Sequence, residues 1–193
     1  VATVLEHPDL PLFRWGESLR AARASRRRSR RGLMAIAAGV ACLGLTIVVP
    51  PRPLLIWNAS ASAPIGLYLV SRRTPEARGE MALAWPPDAA RELAARRGYL
   101  PAGVPLVKRV AAIEGDTVCA HDRIVTVNGA FAASRRSVDR LGRPLPAWQG
   151  CVSLARGMLF LLIADRSDSF DGRYFGATDA ADVIGKARPL WLR

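Results

Sequence analysis

Two histidines occur in the whole chain, His7 and His121, and their scarcity excludes much familiar chemistry. His7 lies in an N-terminal tail. His121 follows Cys119 in a turn-like CAHD segment, where a solvated loop histidine is the simpler reading than a Ser-His-Asp triad. A zinc centre needs three or four clustered Cys, His or acidic ligands, and the sequence shows no such cluster. Glycine spacing for a Walker or dinucleotide-binding loop is also missing, since GRPLP and GATDA do not supply it. Lysine is as rare as histidine: of 28 basic residues only Lys108 and Lys186 are lysines. A coding preference for arginine accounts for most of that imbalance. It also means that only two side chains of this basic set can readily give up a proton, because arginine does not.

What is abundant is arginine, unevenly placed. Seven arginines fall between Arg20 and Arg31, in a chain of 193 residues and net charge +12. The run has no interleaved aromatics, which argues against nucleic acid as partner. It abuts LMAIAAGVACLGLTIVV at 33–49, a stretch without charge. Seventeen residues at helical rise cover roughly 25 Å, the low end for a membrane helix. Arginines just before an apolar span keep the N-terminus in the cytoplasm. Pro50, Pro51 and Pro53 then end the helix. The expected organisation is a basic cytoplasmic tail at 1–32, a transmembrane anchor at 33–50 and an exterior domain at 51–193, with the lipid bilayer as one partner. The alternative is a cleaved secretory signal with Ala59-Ser60-Ala61 as the cut. That site lies twelve residues past the span, farther than such cuts normally fall.

From residue 54 the pattern changes. LYLVS at 67–71, ALAW at 82–85, VPLVKRVAAI at 104–113, RIVTVNG at 123–129 and MLFLLIA at 158–164 are short apolar runs bounded by Gly, Pro, Asp and Asn. They predict mostly antiparallel β structure. PPDAARELAARRG at 86–98 predicts one short helix, with Asp88 as candidate cap. Residues 132–150 read as a polar excursion. Cys119 and Cys151 form an even pair in the exterior part and read as a disulfide at its base, with two buried free thiols as the alternative; Cys42 falls in the apolar span.

If PLVKRVAAI is a strand, Lys108 shares a face with Leu106 and Val110. A lysine there loses hydration and its pKa falls toward neutrality, as a general base requires. An edge-strand or snorkelling lysine fits the pattern equally well. A serine needs such a base to become a nucleophile. Ser62 stands before Ala63-Pro64-Ile65-Gly66, a turn-forming stretch, although most turn serines are structural.

Three segments together carry more. NASASAPIGLY at 58–68, PLVKRVAAIEGD at 105–116 and SFDGRYFG at 169–176 stand in the order of the sequence boxes of the type I signal peptidases, and the chain resembles that family. It is most similar to the conjugative-transfer TraF branch, which VNG at 127–129, GRPLP at 142–146 and PLW at 189–191 also resemble. The likeness covers roughly residues 54–193 and the single N-terminal anchor. It implies a signal-peptidase-like, mostly β, membrane-associated catalytic domain without metal or cofactor. It further implies Ser62 as nucleophile, Lys108 as general base, Ser60 with the Ser62 N–H as oxyanion hole, Ser169 as the group orienting the lysine, and Asp171 with Arg173 as a structural ion pair. The implied substrates are exported precursors with small residues at −1 and −3, pilin-type within a conjugation system. A general secretory peptidase working with the translocation machinery and a non-catalytic anchored assembly subunit stay open. The implied location is the bacterial inner membrane, crossed once, with the catalytic domain in the periplasm. Two departures stand out: Ala63 replaces the methionine common after the nucleophile, and ADRS at 164–167 replaces a Gly-Asp-Asn-Arg run.

Overall fold

The computed structural model describes residues 11–48 and 54–193. The expectations for His7, for the tail before Pro11 and for the helix stop at Pro50, Pro51 and Pro53 lie outside these residues. The chain divides into two units, Val1–Pro51 and Arg52–Arg193.

The described part of the first unit is a single helix, α1 (Pro11–Val48). Leucine, alanine and arginine are all good helix formers, and the helix does not break between the arginine run and the apolar stretch. One helix carries both the arginine run and the apolar stretch. Among the described residues, no helix is long and apolar enough to cross a membrane. The charge-free stretch from Leu33 to Val48 rises only roughly 24 Å, against about 30 Å of hydrocarbon in a typical bilayer. Its large apolar side chains, among them Leu33, Met34, Ile36, Val40 and Leu43, are exposed.

The second unit is mostly antiparallel β. Its elements run β1 (Leu55–Asn58), β2 (Gly66–Ser71), β3 (Met81–Ala84), α2 (Asp88–Arg96), β4 (Leu106–Ala112), β5 (Thr117–His121), β6 (Ile124–Val127), β7 (Ala130–Ser134), β8 (Gly150–Ser153), β9 (Phe160–Leu161), α3 (Gly172–Phe175) and β10 (Val183–Leu192). One sheet has six strands in the order β1-β2-β10-β3-β4-β9, and the other has four in the order β7-β6-β5-β8. Every strand pair is antiparallel. Val118, Ala120, Val125, Leu154, Phe160 and Leu162 form the core beneath the smaller sheet. Tyr68, Val70, Leu83, Val107 and Ile163 pack beside the larger one.

Three local outcomes differ from the sequence reading. MLFLLIA condenses to the two-residue β9, because Leu159 through Leu162 are all buried and serve as core more than as ladder. Asp88 is the first residue of α2, not its cap: Pro87 holds the cap position and Asp88 pairs with Arg91 instead. The excursion expected at 132–150 begins later, because β7 takes its first residues. Cys119 and Cys151 face each other across β5 and β8 and form the expected disulfide, while Cys42 is free and exposed.

Candidate active site

Lys108 sits at the third position of β4, paired with Ala82 of β3. Strand alternation places it on the same face as Val110 and Ala112, and all three are buried. The side chain is 1% exposed, and among the described residues no carboxylate forms an ion pair with it. Nζ instead lies 2.8 Å from Ser62 Oγ and 2.8 Å from Ser169 Oγ, donating to both hydroxyls. Burial lowers its pKa from the usual lysine value to about 8. Asp171 and Asp168 oppose that shift by their charge, and Arg173 adds to it.

Ser62 lies in the loop joining β1 to β2. The Ala63 N–H donates to the Ser60 carbonyl at 3.3 Å and closes a tight turn around it. Ser60 Oγ lies 2.8 Å from Ser62 Oγ, and it accepts a hydrogen bond from the Ser62 N–H at 3.3 Å. One backbone donor and one hydroxyl therefore converge beside the candidate nucleophile. A developing oxyanion needs donors placed in this manner.

The loop is braced by Asn58, the first residue of the NASASAPIGLY segment and one that sequence reasoning assigned no role. Its amide is buried, and Nδ2 lies 3.0 Å from the Ser60 carbonyl, 3.1 Å from that of Ala63 and 3.0 Å from that of Pro64. Its Oδ1 accepts from the Ser60 N–H at 3.2 Å. The Tyr68 hydroxyl adds a second tie, donating to the Pro64 carbonyl at 2.7 Å. The signal available in the sequence was an Asn two residues before a turn serine, since Asn commonly bonds the backbone two residues on. Gly66 ends the loop in a backbone conformation at φ +156°, and a Cβ there would run into the Trp191 backbone.

Ser169 precedes α3, and Asp171 caps that helix by accepting from the Arg173 N–H at 3.2 Å. Arg173 Nε donates to Asp171 at 2.8 Å, in a pair that is 1% and 0% exposed at the side chains. Further bonds anchor the pair: Asp171 accepts from the Ile163 N–H at 3.1 Å, while Arg173 donates to the Ile163 carbonyl at 2.6 Å and the Ser134 carbonyl at 3.1 Å. The pair thus ties α3 to the strands beneath it and fixes where Ser169 presents its hydroxyl. Six of the residues singled out in the sequence, Ser60, Ser62, Lys108, Ser169, Asp171 and Arg173, fall in this one region. Cys119 and Cys151 stand apart from it in the smaller sheet.

A cleft of about 970 Å³ opens in front of these groups. Ile56, Leu83, Val107 and Phe170 contribute apolar lining, and Ser60, Ser62, Lys108 and Ser169 all reach it. A hydroxyl held against a buried, desolvated amine, with two donors beside it and an open cleft in front, is an arrangement that can activate a hydroxyl as a nucleophile. The family model described as "Signal peptidase, peptidase S26" matches residues 27–192, and the chain belongs to that family. Among similar proteins, a plasmid transfer protein TraF of Escherichia coli is 36% identical over 143 residues, covering 69% of this chain and 80% of the relative. A conjugal transfer protein TraF of Agrobacterium fabrum is 37% identical over 143 residues, with the same coverage of 69% and 80%. A solved signal peptidase I of Enterococcus faecalis aligns with 20% identity and a TM-score of 0.34, over 59% of this chain and 97% of that one.

Proposed function

We propose that this chain is a Ser–Lys endopeptidase that removes leader or propeptide segments from exported precursors, pilin-type substrates of a conjugative transfer system in particular. The observation that carries this reading is the placement of Lys108 Nζ, buried and 2.8 Å from both Ser62 Oγ and Ser169 Oγ. In the neutral form, Nζ accepts the Ser62 proton while still donating to Ser169. Ser62 Oγ attacks the scissile carbonyl, and the Ser62 N–H and the Ser60 hydroxyl stabilise the oxyanion. The ammonium so formed then passes its proton to the leaving amine. Water, deprotonated by the same amine, attacks the acyl carbon, and Ser62 Oγ leaves and takes that proton back from the Lys108 ammonium. The transfer role follows the names of the relatives from Escherichia coli and Agrobacterium fabrum. Small residues at −1 and −3 of the precursor belong to the same reading.

The proposed setting is the periplasmic face of the inner membrane, with the arginine run of α1 on the cytoplasmic side. Three observations support it. Leu33, Ile36, Val40, Leu43, Leu45 and Val48 are exposed, and short spans are accommodated by bilayer thinning and by snorkelling arginines. In the second unit, Trp57 and Trp191 meet at 5.6 Å between ring centroids, half exposed, with Leu55, Leu190 and Leu192 also exposed on β1 and β10. Tryptophans and apolar neighbours in such a strip suit a membrane interface. The disulfide suits an oxidising compartment.

Precursor processing by Ser62→Ala and Lys108→Ala variants tests the dyad, and both are expected to lose cleavage while keeping the wild-type thermal transition. The wild-type log(kcat/KM) should rise with slope one up to about pH 8 and then level, because only neutral Lys108 accepts a proton. Full cleavage by either variant, or a flat profile from pH 5 to 9, overturns the assignment. Cleavage of transfer-system pilin precursors, set against general secretory precursors, separates this reading from a housekeeping peptidase.

A further inference from the structure

The cleft has an uneven charge. Five arginines, Arg97, Arg136, Arg140, Arg143 and Arg166, line it against two carboxylates, Asp139 and Asp168. Asp139 is fully engaged. It accepts from the Tyr99 hydroxyl, from Arg143 Nε at 2.7 Å and from the backbone N–H groups of Leu141 and Arg143, both at 2.9 Å. Arg97 lies 4.0 Å from it and also donates to the Pro144 carbonyl at 2.7 Å, while the Arg143 guanidinium stacks 5.5 Å above the Tyr99 ring. These groups lock the connector after α2 to the excursion between β7 and β8, so the two walls of the cleft are fixed to each other.

The second carboxylate is shared. Asp168 pairs with Arg140 of the excursion and lies 3.5 Å from Arg166, whose side chains are 76% and 45% exposed. Arg136 pairs with no carboxylate among the described residues. Its backbone N–H is held at 3.2 Å by the Tyr174 hydroxyl, and its side chain stays exposed at the cleft. Two carboxylates therefore serve four guanidinium groups, a fifth is unmatched, and the catalytic lysine adds no charge in its working form. A concave, partly apolar cleft concentrates such a field. Arginine engages a carboxylate through two parallel N–H donors, whereas a lysine side chain in the same place meets only repulsion.

We infer that the cleft selects precursors carrying an acidic side chain close to the cleavage point, and that Arg136, Arg140 and Arg166 are the residues that read it. The inference rests on the peptidase reading of the site and adds a charge rule to its choice of small residues.

The test uses peptides with alanine at −1 and −3 that differ by Glu, Gln or Lys, scanned through the positions around the scissile bond. Cleavage is measured with the wild-type full chain, and binding with its Ser62→Ala variant. At one or more positions the Glu peptide should be preferred over Gln by about five- to tenfold in both kcat/KM and Kd, with Lys poorer still. The preference should shrink as salt rises. In Arg136→Gln, Arg140→Gln and Arg166→Gln, singly and combined, the Glu-to-Gln ratio should fall toward one. Equal treatment of the three peptides at every position overturns the inference, as does a Glu preference that survives the triple substitution. It is overturned too if the substitutions weaken only binding to vesicles containing anionic lipid and leave the peptide ratio unchanged. Preferential Glu binding without any cleavage would keep the charge rule and sink the peptidase reading instead.

Discussion

Asn58 does more for the candidate site than its place in the sequence suggests. The two hydroxyls at Ser60 and Ser62 project from a short loop, and a short loop left to itself samples many geometries. The Asn58 amide removes that freedom by reaching three carbonyls and one N–H of the same loop. Asn58→Asp keeps the shape and the acceptor but loses the donors, and it puts a carboxylate against three carbonyl oxygens. Its effect should fall on the chemical step, because oxyanion stabilisation depends on placement to a fraction of an ångström. We expect kcat to fall by about 10²–10³, the range for loss of one oxyanion donor, with KM changed far less. Steady-state kinetics alongside a thermal melt make the distinction: a parallel loss of folding and activity, with KM and kcat moving together, would reduce Asn58 to a structural residue. At this scale the sequence was informative where chemistry is unusual. Lys108 stood out because lysine is nearly absent, and the paired serines stood out because they alternate before a turn. Asn58 did not, because an asparagine's role depends on which backbone groups come within reach, and that is a property of the closed loop.

The element that braces the candidate site from behind is α3, although it is a single turn. Its cap, Asp171, and its second residue, Arg173, are buried together and held by hydrogen bonds to each other and to the Ile163 and Ser134 backbone. A buried pair of this type is weak evidence for net stability, but removing one partner leaves the other charged and alone. Arg173→Met is therefore expected to cost about 3–5 kcal/mol in chemical denaturation. Asp171→Asn with Arg173→Met should recover much of that loss, since no uncompensated charge remains; a double variant as unstable as the single one would place the cost in packing or capping instead. The strands show why element boundaries were only partly legible. β2, β3, β4 and β6 announce themselves as short apolar runs with turn residues around them. β10 was missed because its pairing is long-range and its pattern is broken. It contains Pro189, which donates no hydrogen bond, and its register against β2 shifts between Pro189 and Trp191. β5 and β8 are short and mixed in composition, and their pairing is marked in the sequence only by Cys119 and Cys151. The opposite error occurred at 158–164, where a continuous apolar run looked like a strand and is mainly core, an ambiguity that periodicity alone does not resolve.

Of the net charge of +12, the seven arginines between Arg20 and Arg31 form the densest run, uninterrupted by any acidic residue. Those arginines adjoin exposed apolar side chains on the same helix, and the second unit carries its own apolar strip around Trp57 and Trp191. Two attractions to a membrane, one electrostatic and one apolar, should therefore be separable. Each arginine near an anionic surface contributes about 1 kcal/mol, and that contribution is screened within a Debye length. Replacing Arg26, Arg27, Arg28, Arg30 and Arg31 by glutamine in the full chain should weaken binding to vesicles containing anionic lipid much more than binding to purely zwitterionic ones. For the wild type, raising the salt should have the same selective effect. Trp57→Ser with Trp191→Ser should weaken binding to both kinds of vesicle, with little dependence on salt. Co-sedimentation at low and high ionic strength reads both effects. Identical binding of the wild type and the glutamine variant to anionic vesicles at low salt would remove the arginine run from membrane contact. The proposed placement of that run on the cytoplasmic side would fall with it.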